Sequence, residues 1–217
     1  MRIPKVTILA IILALVLVSE MSAISYGYLA GSEIDTRQQI YSYTGLLIQI
    51  PTVDKLKLLG KVWGDLLTYS DVVSPAFQTA VGLQYADARW YTGISAGWEY
   101  RNDSTGTQNN LVLQAEYDIW MKTETNIDLI TSYNTHNNTF WGRGRVKQEA
   151  VLGQIPWRFG GECIGLYGHG YQLFQAGPVI ESLFLSRSLS VAIHGGLKLI
   201  SNSTAGAYGG LELYYGF

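Results

Sequence analysis

The three histidines are the natural place to look for catalysis, and none sits in a usable catalytic setting. In Asn134-Thr135-His136-Asn137-Asn138, a His-x-Ser hydrolase element would carry its nucleophile at the last position, which is Asn138. An amide there removes the chemistry. His136 and His169 fall in expected connections, and His194 lies within an alternating run among other polar residues. No phosphate-cradling loop or metal-ligand spacing occurs, so neither a cofactor nor a metal is expected and the chain reads as a non-enzyme. The single cysteine, Cys163, has no partner for a disulfide and reads as a small strand residue.

The other chemistry-bearing residues recur at spacing two. They are Lys61, Trp63 and Asp65; Glu116 and Asp118; Trp141, Arg143, Arg145 and Lys147; His194 and Lys198; and Glu212. Successive side chains of a strand point to opposite faces, so each group shares one face of its strand. Such a face can line a polar interior in two ways. Opposite charges on neighbouring strands can neutralise one another, or charges, amides and indoles can bind a saccharide or conduct polar solutes. Both readings stay open on the sequence alone.

Opposite these polar faces lie apolar ones. From Asn110 to Met121 one parity reads Leu111, Leu113, Ala115, Tyr117, Ile119 and Met121, while the other carries Gln114, Glu116 and Asp118. Leu189, Val191, Ile193, Leu197 and Leu199 oppose His194 and Lys198, and Leu211, Leu213 and Tyr215 oppose Glu212. Period two, rather than 3.6, sets the fold class. The expected strands lie near 25–33, 39–50, 55–69, 76–85, 90–101, 109–121, 126–135, 138–150, 158–168, 171–182, 188–200 and 205–217. The second and tenth are the least cleanly patterned. An even count of about twelve, with ten the alternative, lets an all-antiparallel sheet close, and closure leaves no unpaired edge in hydrocarbon. The expected fold is therefore all-β: one closed transmembrane barrel. A secreted β-sandwich would bury its oily faces in a compact core and carry more surface charge.

Composition agrees. Charged residues make up 15% of the chain, against about 25% in average soluble proteins, while Gly, Tyr and Trp number 24, 15 and 6. Such a mixture suits tight strand packing and aromatic belts at lipid–water boundaries. A net charge of −2 gives no polyelectrolyte signal, so nucleic acid is not an expected partner. Residues 1–25 read as a cleaved signal peptide: Arg2 and Lys5, an apolar run from Val6 to Val18, then Ala23-Ile24-Ser25. That run is shorter than the roughly 20 residues a membrane-spanning helix needs. Residues 26–217 are then the barrel. With the amino terminus in the periplasm, turns are expected there near Pro51–Asp54, Ala86–Arg89, Lys122–Thr125, Gly153–Pro156 and Phe184–Arg187. External loops are expected near Glu33–Gln38, Ser70–Pro75, Asn102–Thr107, Thr135–Asn138, Gly168–Gly170 and Ser201–Thr204. The closing strand ends Tyr214-Tyr215-Gly216-Phe217, a terminal aromatic suited to the barrel-assembly machinery of Gram-negative outer membranes.

Several segments together resemble the BcsS-type cellulose-biosynthesis barrels. Tyr28-Leu29-Ala30-Gly31 and Tyr41-Ser42-Tyr43-Thr44-Gly45 resemble that family's tyrosine–glycine first hairpin, and Lys61-Val62-Trp63-Gly64-Asp65 its third-strand motif. Ala80-Val81-Gly82-Leu83-Gln84-Tyr85, Gly97-Trp98-Glu99-Tyr100-Arg101, Phe140-Trp141-Gly142-Arg143-Gly144-Arg145-Val146 and Ala207-Tyr208-Gly209-Gly210-Leu211 continue the likeness. After Gly165, Leu166-Tyr167-Gly168-His169 departs from the family's Gly-Pro-Glu element, and Pro178 matches only in part. The resemblance implies a Gram-negative outer-membrane barrel in exopolysaccharide biosynthesis, export or surface organisation. Its implied partners are outer-membrane lipid, the assembly machinery through Phe217, and polysaccharide or its secretion proteins, with no catalytic residues. A small polar-lumen porin and a glycan-docking barrel remain the alternatives, and a lipid hydrolase the remotest.

Overall fold

The computed structural model describes residues 24–69, 72–103, 106–168, 171–184, 188–201 and 203–216. The expected leader up to residue 23, His169 and Phe217 lie outside the described residues. Twelve strands follow one another: β1 (Ser25–Asp35), β2 (Ile40–Pro51), β3 (Leu56–Tyr69), β4 (Val72–Ala86), β5 (Trp90–Asp103), β6 (Gly106–Trp120), β7 (Thr125–Asn134), β8 (Thr139–Leu152), β9 (Ile155–Gly168), β10 (Tyr171–Phe184), β11 (Leu189–Ile200) and β12 (Gly206–Gly216). Each pairs antiparallel with its sequence neighbours, and β1 pairs with β12 from Gly27↔Gly216 to Asp35↔Tyr208, so the sheet closes. Closure at twelve strands excludes the ten-stranded alternative.

Solvent sorts the two faces in reverse of a soluble protein. Val81, Ile94, Ile193 and Leu197 point outward at 63–69% exposure, while Arg145, Lys147, Glu162, Glu181 and Lys198 are buried inside. An outer wall this apolar is matched to hydrocarbon, and the polar parity faces the lumen. Outward aromatics gather toward the two ends. Tyr100, Tyr133, Phe140 and Tyr167 stand toward one end, and Tyr85, Tyr117, Trp157 and Tyr215 toward the end that carries both termini. Their amphipathic rings suit the two headgroup levels.

Several strands, β4 and β9 among them, run longer than expected, and in these two the prolines explain where. Pro75 lies inside β4 and Pro156 inside β9, although both were expected in connections. Each stands one residue beyond the end of one of its two ladders: the β4–β5 pairs begin at Ala76, and the β9–β10 pairs at Trp157. A proline there can lack an N–H without interrupting that ladder. Pro178 is different. It pairs with Gly161 of β9, but the β10–β11 ladder skips Gly177 and Pro178. Opposite them lie Gly195 and Gly196, and the backbones approach so closely that a Cβ on Gly177 would collide with the Gly195 carbonyl. This break explains why the tenth strand is poorly patterned in the sequence.

The connections are tight. Gln38, Asp54, Glu124 and Asn138 take left-handed φ values of 51–63° near the ends of four-residue turns. Asp35 Oδ1 accepts the backbone N–H groups of Arg37 (2.8 Å) and Gln39 (3.1 Å), which fixes the first turn.

Candidate functional site

All twelve residues singled out by spacing lie on lumen parities of β3, β6, β8, β11 and β12. The structure gathers most of them into tiers along the barrel axis. The middle tier is a strut. Glu212 of β12 accepts from Arg145 Nη1 at 2.7 Å, from Arg143 Nη1 at 3.0 Å and from the Tyr43 hydroxyl at 2.6 Å. Arg145 Nε donates to Glu162 Oε2 at 2.8 Å, and Glu162 Oε1 also accepts from His194 Nδ1 (2.6 Å) and the Tyr208 hydroxyl (3.0 Å). β8 and β12 stand four strands apart, a third of the way round the wall, so the Arg–Glu212 bonds cross the lumen rather than follow it. The Arg145 and Glu162 side chains are 3% and 0% exposed, so this ion pair is fully enclosed within the lumen.

Toward the end carrying the termini, Lys147 Nζ reaches Glu181 (3.0 Å) and Asp128 (3.5 Å), and Arg158 reaches Glu181 (3.3 Å) and Glu149 (3.5 Å). Lys61 of β3 pairs with Glu116 of β6 across two intervening strands. At the opposite end Lys198 meets Asp35 (2.9 Å) and Glu33 (3.7 Å), and Arg101 meets Asp65 (3.3 Å) and Glu99 (3.5 Å). Buried charges need partners of opposite sign, and these tiers supply them. Asp118 accepts from Asn126 at 2.9 Å rather than from a cation. Trp141 faces the lumen half-buried, without joining the strut.

Glycine makes room for the lumen's rings. Gly45 is the cross-strand partner of Trp63, and Gly31 of Tyr43. A Cβ at either glycine would run into the opposite ring, so each aromatic lies flat against bare backbone. Tyr43 and Trp63 then stack with centroids 5.2 Å apart and planes at 15°. The motifs Tyr41-Ser42-Tyr43-Thr44-Gly45 and Lys61-Val62-Trp63 are therefore two halves of one packing unit. It holds the Tyr43 hydroxyl against Glu212. The sequence reading missed Tyr43 and Tyr208 as strut members. The signal was available in their parity, since Tyr43 alternates with Gly45 and Tyr208 with Glu212.

At the mouth beside the termini, a cavity of about 330 Å³ opens between Gln49, Lys57, Gln84, Tyr91, Asp118, Trp120 and the β4–β5 turn. On its exposed rim Lys55 Nζ donates to Asp87 at 2.8 Å; this hydrogen bond raises the lysine pKa and lowers that of the aspartate.

Solved barrels share this architecture at low sequence identity. The KdgM porin superposes with a TM-score of 0.55 at 11% identity, covering 88% of this chain and 99% of that one. An outer-membrane channel from Pseudomonas putida F1 gives 0.56 at 10% identity, covering 92% and 98%. The fold is that of the outer-membrane porins. The NanC porin gives 0.52 at 9% identity, with 88% and 98% covered. No family model and no curated protein matches the sequence.

Proposed function

We propose that this chain is a non-catalytic, porin-like barrel of the Gram-negative outer membrane, serving the export or surface organisation of a cellulose-like exopolysaccharide. The observation that carries this reading is a charged, aromatic-bearing lumen enclosed by a continuous apolar wall. The wall fits lipid, and an interior of carboxylates, guanidinium groups, amides and indoles fits a hydroxyl-rich solute. The resemblance to the BcsS-type barrels supplies the exopolysaccharide context. One structure of the same fold is of the KdgM porin in complex with disordered oligogalacturonate, so a barrel of this fold is compatible with a bound saccharide. In this reading the terminus-bearing end faces the periplasm and Phe217 addresses the assembly machinery. Lipid surrounds the wall, and polysaccharide or its secretion proteins engage the ends.

The mid-lumen strut favours a constricted channel, with glycan docking as the second reading. Single-channel recording of the refolded chain in planar bilayers, with and without cello-oligosaccharides, tests the two. Small conductance steps that oligosaccharides interrupt are expected for passage. A barrel that folds but never conducts transfers the role to docking at its ends. Conductance indifferent to every saccharide would overturn the exopolysaccharide assignment.

A further inference from the structure

Each cation of the strut and of the tiers beside it has a carboxylate partner. The mouth beside the termini breaks that rule. Lys57 and Arg89 both line the cavity of about 330 Å³ there, and among the described residues neither forms an ion pair. Lys57, on the lumen parity of β3, donates to the Gln49 amide oxygen at 3.3 Å, and the rest of its ammonium group is unspent. Arg89 stands exposed in the β4–β5 turn, and its guanidinium has no hydrogen bond to any described residue. Two carboxylates share the cavity, and each is engaged elsewhere. Asp118 accepts from Asn126 at 2.9 Å and lies in the field of Lys147 and Arg158, on the β8–β9 side. Asp87 accepts from Lys55 at 2.8 Å, and Lys55 also lies in the field of Asp54. An ammonium and a guanidinium with open donors, facing one space, suit an oxyanion, because charge-assisted hydrogen bonds are the strong ones and the guanidinium fork matches a carboxylate.

The rest of the lining decides what carries the oxyanion. Gln49, Lys57, Gln84, Tyr91 and Trp120 all stand on lumen parities, so the ligand enters from water and not from the lipid headgroups around the wall. Trp120 has the Arg158 guanidinium 4.4 Å over its ring centroid, and Arg158 is anchored to Glu181 and Glu149, so the indole is held in one orientation. Tyr91 lines the cavity from the adjacent strand β5. Aromatic rings beside amides match a sugar ring, whose C–H face packs on an aromatic and whose hydroxyls both give and accept hydrogen bonds. At about 330 Å³ the cavity falls at the small end of the roughly 300–1,000 Å³ range of ligand sites. With the Lys147–Glu181 tier and the strut lying deeper, it takes a chain end rather than a strand threaded through.

We infer that this mouth binds the acidic end unit of a saccharide chain, with its carboxylate at Lys57 and Arg89 and its ring beside Trp120. The inference rests on the saccharide reading above and adds the chemistry of the chain: acidic groups on a cellulose-like backbone, met first at the terminus-bearing end.

Calorimetric titration of the refolded full chain in detergent micelles tests it, since binding is read whether or not the lumen conducts. The probes are cellohexaose and its C6-oxidised form, in which carboxylates replace the hydroxymethyl groups. The expected result is saturable binding of the acidic chain, at least about tenfold tighter than cellohexaose, because charge-assisted hydrogen bonds outweigh neutral ones. Added salt should weaken it, since these charges are open to water. Lys57→Gln and Arg89→Gln should each cost the acidic chain about tenfold in affinity and leave cellohexaose unchanged. Lys122→Gln, in the exposed β6–β7 turn at the same end, should alter neither. Arg89 is equally exposed, so its variant keeps the fold, and heat-resistant electrophoretic mobility verifies each barrel. Equal affinity for the two chains overturns the acidic ligand while leaving the saccharide reading intact. Acidic binding that ignores both Lys57 and Arg89 overturns the site. Inorganic phosphate bound as tightly as the acidic chain would leave a bare oxyanion site and overturn the saccharide end. Absence of binding by either chain overturns the inference, whereas the saccharide reading itself falls only if saccharides also leave the conductance untouched.

Discussion

Glu212→Gln destabilises the folded barrel by about 3 kcal/mol, the cost of breaking a buried ion pair by removing one partner. Glutamine keeps the size of the side chain and can still accept from the Tyr43 hydroxyl. What disappears is the negative charge that faces both Arg143 and Arg145 at 2.7–3.0 Å. Arg145 retains Glu162, but Arg143 has no other ion pair among the described residues and its Nε already lacks a hydrogen-bond partner. The loss therefore falls mainly on Arg143. Urea unfolding from micelles or bilayers reads the change as a lower midpoint at unchanged slope. Replacing Arg143 as well should return part of the lost stability. A coupling of about 1–3 kcal/mol between the two sites is expected in a double-mutant cycle, because the two side chains are in direct contact. The same substitution frees one end of the cross-lumen strut, so the open conductance should rise with it. An unchanged midpoint would mean that water already screens these charges and that the strut is not closed.

The second large effect comes from backbone packing. Gly177→Ala places a methyl group against the Gly195 carbonyl and 2.7 Å from the Gly196 Cα, where no rotamer change can relieve the contact. The strands must separate at the one place where their ladder already skips two residues. Overpacking a tight contact costs about 1–3 kcal/mol, and the upper end is expected here because the colliding atoms are backbone. Refolding yield into detergent should fall accordingly. Gly60→Ala is the control, with nothing nearer than the Ile48 Cβ at 3.9 Å, and Gly165→Ala meets nothing within 4 Å. Both should fold as well as the parent chain. Equal behaviour of Gly177 and Gly60 variants would show that the β10–β11 pinch tolerates widening.

The contrast between these glycines also marks what the sequence makes legible. Which face of each strand meets lipid can be read directly, because two solvents of opposite character select opposite residue types at period two. Leu111, Leu113 and Tyr117 against Glu116 and Asp118 needed no structure to be sorted. Connections were less legible, because Pro75 and Pro156 look like turn residues until the ladder ends beside them are known. Which charges pair was not legible at all. Arg145 meets Glu212 only because closure of the sheet and the register of twelve strands bring β8 and β12 face to face across the lumen. His194 lies among other polar residues of an alternating run, yet nothing local to it indicates Glu162. Likewise, Gly45 reads as one more glycine until the register sets it opposite Trp63.

The central claim is the inverted sorting itself: apolar residues against lipid, charges enclosed. Cys163, the chain's only cysteine, lies exposed on the outer wall between the lumen-facing Glu162 and Ile164. A nitroxide attached there, in the chain refolded into bilayers, reports the solvent of that wall through collision rates with oxygen and with a water-soluble nickel chelate. Frequent collision with oxygen and little with nickel is the predicted result, as for a label held in hydrocarbon. Free access of nickel, with no oxygen enrichment, would place this wall in water and contradict the membrane barrel.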